Sequence, residues 1–177
     1  MKLIFAVVSV FISSFIIAQT KPGDTLHWSE SKPLSWDDFK ARPKKEMTGE
    51  TFCMLEANYE KPNPLKKTKF KIFAVWYKSK SSIAPSSKSA DELLYYQVLF
   101  NIYEAHARKL RKDFSETKFG LNPEKEFRDK YNDEVEKLTD ETNDYRDETN
   151  EGSNAAAVKK WEAKEKEELK QLEKFKE

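Results

Sequence analysis

The segment from Leu93 to Leu110 constrains the fold more than any other part of the chain. Apolar residues recur there at alternating spacings of three and four, which is the period of an α-helix. A second apolar set lies beside the first, so most of the circumference of this helix is apolar and other elements must bury it. The first set comprises Leu93, Tyr96, Phe100, Tyr103, Ala107 and Leu110, and the second comprises Leu94, Val98, Ile102 and Ala105.

Two stretches with strand character precede this helix. The run 69–78 is dense in β-branched and aromatic residues, and both of its faces are apolar in the middle, which predicts a central strand covered on each side. Residues 49–60 show a weaker pattern of the same kind. Because the proline-punctuated loop 61–67 joins the two, we expect them to pair antiparallel.

Helical patterns dominate the rest of the chain. A stripe of apolar residues runs from Phe127 to Tyr145, Gly152 interrupts the pattern, and a last amphipathic stripe runs from Val158 to Leu172. Ahead of the strands, Ser35 and Asp38 have the spacing of a capping box and predict one short helical turn. The predicted fold class is therefore α+β: a small antiparallel sheet packed on a buried central helix, followed by two amphipathic helices.

Residues 1–18 have the form of a secretory signal peptide. A basic start at Lys2 precedes an apolar run of about 15 residues, which is shorter than the ~20 that a membrane-spanning helix needs, and Ala18 supplies a small residue for cleavage. We expect export to the periplasm or the medium, with residues 19–177 forming one domain that has no membrane span. A retained N-terminal anchor is the alternative.

The charge balance and the cysteine count exclude some classes of partner and fold. Loss of Lys2 leaves 31 basic residues against 31 acidic ones, so the mature chain has a formal charge of about zero and no nucleic-acid partner is predicted. Cys53 is the only cysteine and cannot form an intramolecular disulfide. The apolar core must therefore hold the fold together, and we expect Cys53 to be buried in preference to crosslinking chains.

No complete catalytic motif is present in the sequence. It contains no glycine-rich phosphate loop, no nucleophile elbow and no paired-cysteine metal site. His27, Cys53 and His106 offer three metal-ligand side chains, but their spacing is not characteristic of a site. We therefore predict no metal, no cofactor and no catalytic residue.

Three motifs nevertheless resemble one bacterial family, the predicted secreted zinc-dependent proteases known as domain of unknown function nine hundred and twenty-two. The motifs are the run 34–43, the helix that ends at 107–110, and the segment 145–152. They occur in the family's order and span nearly the whole mature chain. The resemblance implies a zincin-like scaffold with His-Glu-x-x-His on the central helix and a third histidine before a glycine.

The residues at those positions depart from the zinc-binding pattern. Tyr95 and Leu99 stand where the resemblance implies the first two histidines, and Tyr96 stands where it implies the glutamate that polarises the metal-bound water. Glu151, before Gly152, takes the position of the third histidine and is the only replacement that can still bind a metal. Zinc hydrolysis by the family mechanism is therefore not expected.

Three functional hypotheses remain open at this stage. The first is an exported, non-catalytic homologue that binds a peptide, a protein or a cell-envelope component. In it, Tyr95, Tyr96, Leu99 and Glu151 line a surviving binding cleft or, alternatively, Tyr95, Tyr96 and Leu99 are ordinary core. The second is a hydrolase that uses a different carboxylate site, and the third is an assembly role for the charged C-terminal helices. The carboxylates considered for the hydrolase are Glu104, Asp147, Glu148 and Glu151.

Overall fold

Three strands of one sheet and three long helices make up most of the structure, a computed structural model that describes residues 23–44, 47–60, 68–120 and 123–177. The α+β class predicted from the sequence is confirmed. The predicted signal peptide and the loop 61–67 lie outside the described residues. The elements are β1 (Thr25–His27), β2 (Gly49–Glu50), β3 (Cys53–Tyr59), β4 (Phe70–Tyr77), β5 (Ser82–Ile83), α1 (Ala90–Glu116), α2 (Glu124–Glu148) and α3 (Ala155–Gln171).

The sheet is antiparallel, with β4 at its centre, β1 on one side and β3 on the other. The register places Leu55 opposite Ala74 and Leu26 opposite Trp76. Strands β2 and β5 form a separate two-stranded ribbon in which Gly49 pairs with Ile83. The central position of β4 and its antiparallel pairing with β3 agree with the sequence-based prediction.

Helix α1 lies at the centre of the molecule, as its apolar circumference requires. Ser89 begins the helix, because its side chain accepts a hydrogen bond of 3.0 Å from the backbone N–H of Glu92. One side of α1 packs on β4, where the rings of Phe100 and Trp76 lie 5.8 Å apart. Val98, Ile102 and Ala107 are fully buried. The sheet and the helices thus share one hydrophobic core.

Helices α2 and α3 cover the remaining sides of α1. Tyr145 of α2 is fully buried, and its ring meets Trp161 of α3 at 5.3 Å. The hydroxyl of Tyr131 donates a 2.6 Å hydrogen bond to the carbonyl of Leu55, which ties α2 to the outer edge of β3. The apolar stripes of the C-terminal helices therefore pack on their own domain. None of the helices within the described residues is long and apolar enough to cross a membrane.

The two faces of the sheet differ in their cover. Trp76 and Leu55 point to the side that packs on α1 and are almost fully buried. Since side chains alternate along a strand, Met54 and Phe73 lie on the opposite face. On this face Val75 of β4 is fully buried and Phe73 is half-buried, which agrees with the predicted cover of β4 on both sides, whereas Met54 of β3 is 39% exposed. Neighbouring side chains in the sheet shield Phe73, for example His27, whose ring stacks on it at 4.5 Å.

The short turn predicted at residues 35–38 anchors the chain to β4. The Asp38 carboxylate accepts hydrogen bonds of 2.9 and 2.8 Å from the backbone N–H and the hydroxyl of Ser35, as the predicted capping spacing suggested. Asp38 also forms a 2.8 Å ion pair with Lys78, and its carbonyl accepts a 3.0 Å hydrogen bond from Trp76. The turn thereby directs Phe39 onto the Trp76 ring at 5.2 Å.

Replacement of Asp38 by Asn should lower the free energy of unfolding by about 1–3 kcal/mol, because it removes a nearly buried ion pair and weakens two hydrogen bonds. Burial by itself would raise the pKa of Asp38, but the hydrogen bonds from Lys78 and Ser35 hold this pKa below its usual 3.8. The stabilisation is therefore present at neutral pH and lost as the pH falls through the folded-state pKa.

Denaturant unfolding at several pH values measures this effect. The difference between the native chain and Asp38→Asn should shrink below about pH 4. Asp37→Asn is the matched control, since its side chain is exposed and should cost little at any pH. An equal loss in the two variants would contradict the role assigned to Asp38.

Candidate functional site

The predicted site residues on α1 lie in the hydrophobic core. Tyr95 and Tyr96 are each 6% exposed, and Leu99 is 2% exposed. The Tyr95 ring stacks on Tyr145 of α2 with 5.1 Å between centroids and 17° between planes. The hydroxyl of Tyr145 donates a 2.9 Å hydrogen bond to the backbone carbonyl of Tyr95. These contacts hold the Tyr95 ring between α1 and α2.

Tyr96 packs between Tyr95 and Phe39, the residue that follows the turn after β1. Its ring lies 5.2 Å from Tyr95 in an edge-to-face arrangement and 5.2 Å from Phe39. Burial raises the pKa of both tyrosines above the ordinary value, and the nearby carboxylate of Glu92 raises that of Tyr96 further. Both phenols therefore stay protonated at neutral pH, which makes them poor zinc ligands.

The segment that carries Glu151 and Gly152 meets α1 at Tyr95. After α2 ends, Asn150 and Glu151 adopt positive φ angles of 48° and 51°, and Gly152 follows at 89°. A Cβ atom on Gly152 would lie 2.9 Å from Cγ of Tyr95, so the backbone lies directly against the ring. The side chain of Glu151 is exposed. The four positions implied by the resemblance are thus neighbours, with three buried and one at the surface.

The other candidates from the sequence do not converge on one site. His27 and Cys53 flank β4 from different strands, and His106 does not join them in a group of three ligand atoms. Cys53 packs against the core, where burial raises its pKa well above the ordinary value. The thiol therefore resists ionisation and is a poor nucleophile.

Of the four carboxylates considered for a hydrolytic site, Glu104 and Glu148 are engaged by other side chains, whereas Asp147 and Glu151 are exposed. Glu104 is 3% exposed and forms ion pairs of 2.9 Å with Arg108 and 3.1 Å with Arg111. Glu148 accepts a 2.7 Å hydrogen bond from the Trp161 indole. Nine residues separate Glu104 from Tyr95 along α1, a rise of about 13 Å.

A buried histidine site that the sequence analysis overlooked lies where α1 meets α2. His106 is 1% exposed, and its two ring nitrogens lie 2.7 Å from a carboxylate oxygen of Glu134 and 2.8 Å from one of Glu141. A ring that hydrogen-bonds two carboxylates has to donate from both nitrogens, which only the protonated imidazole can do. Burial would lower the pKa of His106, but the hydrogen bonds that its ring donates to the two carboxylates raise this pKa overall.

Next to this histidine, α2 and α3 bring together three carboxylates that we call the acidic cluster: Glu141, Glu165 and Glu168. One ligand oxygen from each lies within 4.8 Å of the others. Lys109 pairs with Glu168 at 2.6 Å, and Lys164 forms an ion pair with Glu141. Glu165 differs from the rest because it is fully buried and neither of its oxygens has a hydrogen-bond partner. Burial raises its pKa to about 7.

The sequence contains a pattern that could have indicated this cluster. Glu165 lies four residues after Trp161 and four before Leu169, so it falls on the apolar stripe of α3 that faces the core. Glu134 and Glu141 flank Leu138 on the stripe of α2 in the same way. An acidic residue on a core-facing stripe must be paired, protonated or bound to a cation. Those positions therefore marked a polar site between helices.

No known protein family, curated protein or solved structure matches this chain. The resemblance to secreted zinc-dependent proteases therefore stays a prediction. It rests on the three motifs at 34–43, 107–110 and 145–152.

Replacement of Gly152 by Ala should destabilise the fold by about 1–3 kcal/mol beyond the cost of a left-handed residue, because the new methyl group collides with the Tyr95 ring. Gly23→Ala is the matched control. Gly23 has nearly the same φ of 86°, but a Cβ atom there meets no atom within 4 Å. The free energy of unfolding of Gly23→Ala should therefore fall only by the cost of placing alanine at a positive φ, about 1–2 kcal/mol.

Thermal and denaturant unfolding of both variants measures the difference. Introducing Gly152→Ala into a Tyr95→Ala chain should bring its cost down to that of Gly23→Ala, since the ring that the methyl group strikes is gone. An unchanged cost in that background would show that Tyr95 does not set the requirement for glycine.

Proposed function

We propose that this chain is an exported, non-catalytic binding protein built on a scaffold like that of the secreted zinc-dependent proteases. One observation carries the proposal: the Tyr95 ring occupies the position of the first implied zinc ligand and is packed between Tyr145 and Gly152. A protonated phenol held there by stacking and close backbone contact cannot take the place of a histidine ligand.

The neighbouring positions support the same proposal. Leu99 offers no lone pair and is 2% exposed, so the second implied ligand is missing. Tyr96 replaces the general base, and because burial and Glu92 raise the pKa of its phenol, it stays protonated and cannot accept a proton at neutral pH. Glu151 keeps a carboxylate, but a single exposed carboxylate does not make a zinc site. Export rests on the signal-peptide form of residues 1–18.

Binding in this proposal takes place on the outer sheet face, which we define as Phe52, Met54, Phe73 and Tyr77. Phe52 and Met54 are 38% and 39% exposed, which makes them two of the most exposed large apolar side chains among the described residues. The ammonium group of Lys80 lies 4.2 Å above the Phe52 ring, and the Tyr77 hydroxyl donates to Glu56. The face therefore combines apolar side chains with charged ones, including Lys80 above Phe52 and Glu56 beside Phe73.

These features favour a polypeptide as the partner. Apolar and aromatic side chains with a few charges at the rim are typical of protein-binding surfaces. The zero formal charge of the mature chain gives no basis for attraction to nucleic acid. In this proposal the partner is a protein or peptide of the cell envelope that covers Phe52 and Met54 with its own apolar side chains.

The mature chain should neither bind zinc at Tyr95 nor cleave peptides with it. Calorimetric zinc titration and a broad peptide panel test this in a Glu165→Gln background, which disables the acidic cluster as a competing zinc site. We expect no saturable zinc binding and no zinc-dependent hydrolysis. Hydrolysis that disappears in Glu151→Gln or Tyr95→Phe would overturn the non-catalytic assignment.

Photocrosslinking from the outer sheet face tests the binding part of the proposal. A benzophenone amino acid at position 54, in the exported chain of a bacterial host, should give one dominant adduct with a polypeptide. The same amino acid at exposed Glu167 of α3 is the control and should give none. Equal labelling from the two positions, or no adduct from position 54, would contradict the assignment.

A further inference from the structure

The carboxylate of Glu165 has no hydrogen-bond partner among the described residues. Its side chain is fully buried, and neither oxygen accepts or donates a hydrogen bond. The nearest opposite charge is the Lys164 ammonium, 3.7 Å from one oxygen, which is beyond hydrogen-bond distance. An unpaired buried carboxylate is costly, so its position at the centre of three helices calls for a ligand or a proton.

The geometry around Glu165 suits a cation. The oxygens of Glu141, Glu165 and Glu168 lie within 4.8 Å of one another, so a point exists no more than about 2.8 Å from all three, which is 4.8 Å divided by √3. Bonds from Ca²⁺ to oxygen are about 2.3–2.6 Å long and bonds from Mg²⁺ about 2.0–2.1 Å. A small contraction of the cluster would therefore coordinate Ca²⁺, and a larger one would be needed for Mg²⁺.

We propose that the acidic cluster binds one hard divalent cation of the size of Ca²⁺, with Glu165 as the inner ligand and Glu141 and Glu168 at the rim. Oxygen-only donors are the ligands that such cations prefer. The rim side chains are 17% and 21% exposed, which leaves a path to solvent and room for water ligands. This inference goes beyond the proposed binding function and does not depend on it.

Two lysines compete with the cation for the cluster. Lys109 lies 2.6 Å from Glu168 and 3.5 Å from Glu141, and Lys164 pairs with Glu141. Their side chains are 32% and 49% exposed, so each ammonium group can move into solvent. Exchange of two ammonium groups for one divalent cation leaves the charge of the cluster unchanged. A lysine that occupies the site should thus weaken cation binding without preventing it.

The bound cation would fasten the three helices together. Glu141 comes from α2, Glu165 and Glu168 come from α3, and Glu141 also contacts His106 of α1. Metal sites between packed helices are commonly built from carboxylates on facing helices in this way. Since only the folded chain brings the three carboxylates together, binding must raise the stability of the fold.

Calorimetry and thermal unfolding of the chelator-treated mature chain, titrated with Ca²⁺, Mg²⁺ or Mn²⁺, test the proposal. We expect one Ca²⁺ per chain with a submillimolar Kd, weaker binding of Mg²⁺, and an increase in Tm of roughly 5–10 °C at a hundredfold excess over Kd. Absence of saturable binding up to roughly 10 mM of all three ions, well above the weakest extracellular calcium sites, would overturn it.

Three variants make the assignment specific. Glu165→Gln keeps the shape of the side chain, removes the uncompensated charge and should fold well, but its Tm should no longer respond to Ca²⁺. Glu167→Gln, on the exposed side of α3, is the matched control and should bind Ca²⁺ normally. Lys164→Gln removes a competitor and should bind Ca²⁺ several times more tightly. Normal binding by Glu165→Gln, or no gain in Lys164→Gln, would place the cation elsewhere and contradict the proposal.

Discussion

Burial of α1 on all sides is the constraint on which the rest of the structure depends. A 27-residue helix with apolar residues around most of its circumference needs more cover than one sheet can give. The three-stranded sheet covers one side through Trp76, and α2 and α3 cover the others through Tyr145 and Trp161. The α+β arrangement follows, because a small sheet and two further helices are the elements this chain has to surround that helix.

Burial of α1 also determines what its polar residues need, which is hydrogen-bond or ion-pair partners inside the molecule. Glu104, His106 and Arg108 are each no more than 3% exposed, so each must find partners inside the molecule. Arg108 bonds Glu104 on its own helix and the carbonyl of Leu169 on α3, while His106 takes its partners from α2. Polar contacts thus determine how α2 and α3 are placed along α1, and the apolar stripes determine which faces meet. The acidic cluster lies beside His106, where polar contacts and apolar packing both join the helices.

The two functional proposals concern different parts of this framework. Around Tyr95, aromatic stacking and the close approach of Gly152 make a tightly packed core with no free ligand. At Glu165 the core holds a carboxylate without a hydrogen-bond partner. The first arrangement underlies the proposal of a non-catalytic protein, and the second underlies the proposal of a cation that joins helices. The outer sheet face is separate from both, since α1 packs on the other side of the sheet.

Local pattern was sufficient for most of the architecture. Periodicity in 93–110 and alternation in 69–78 depend on neighbours along the chain, so the buried helix, the central strand and the turn at Ser35 could be derived from the sequence. The identity of Tyr95 and Leu99 was likewise enough to argue against zinc ligation. How completely these side chains are buried came only from the tertiary structure, because it depends on residues such as Tyr145 that are distant in sequence.

The polar sites depended on the tertiary fold to a greater degree. The sequence showed one isolated histidine at 106 and acidic residues spread over two charged helices. Nothing local relates His106 to Glu134, or Glu141 to Glu165, because the helix crossings set those distances. Likewise, the sequence did not show that Met54 on the outer face of β3 stays 39% exposed while Val75 beside it is fully buried, because exposure depends on the packing of the whole sheet. The sequence determined which surfaces had to be buried, and the tertiary structure decided which charges were buried with them, because burial of a charge depends on every element packed around it.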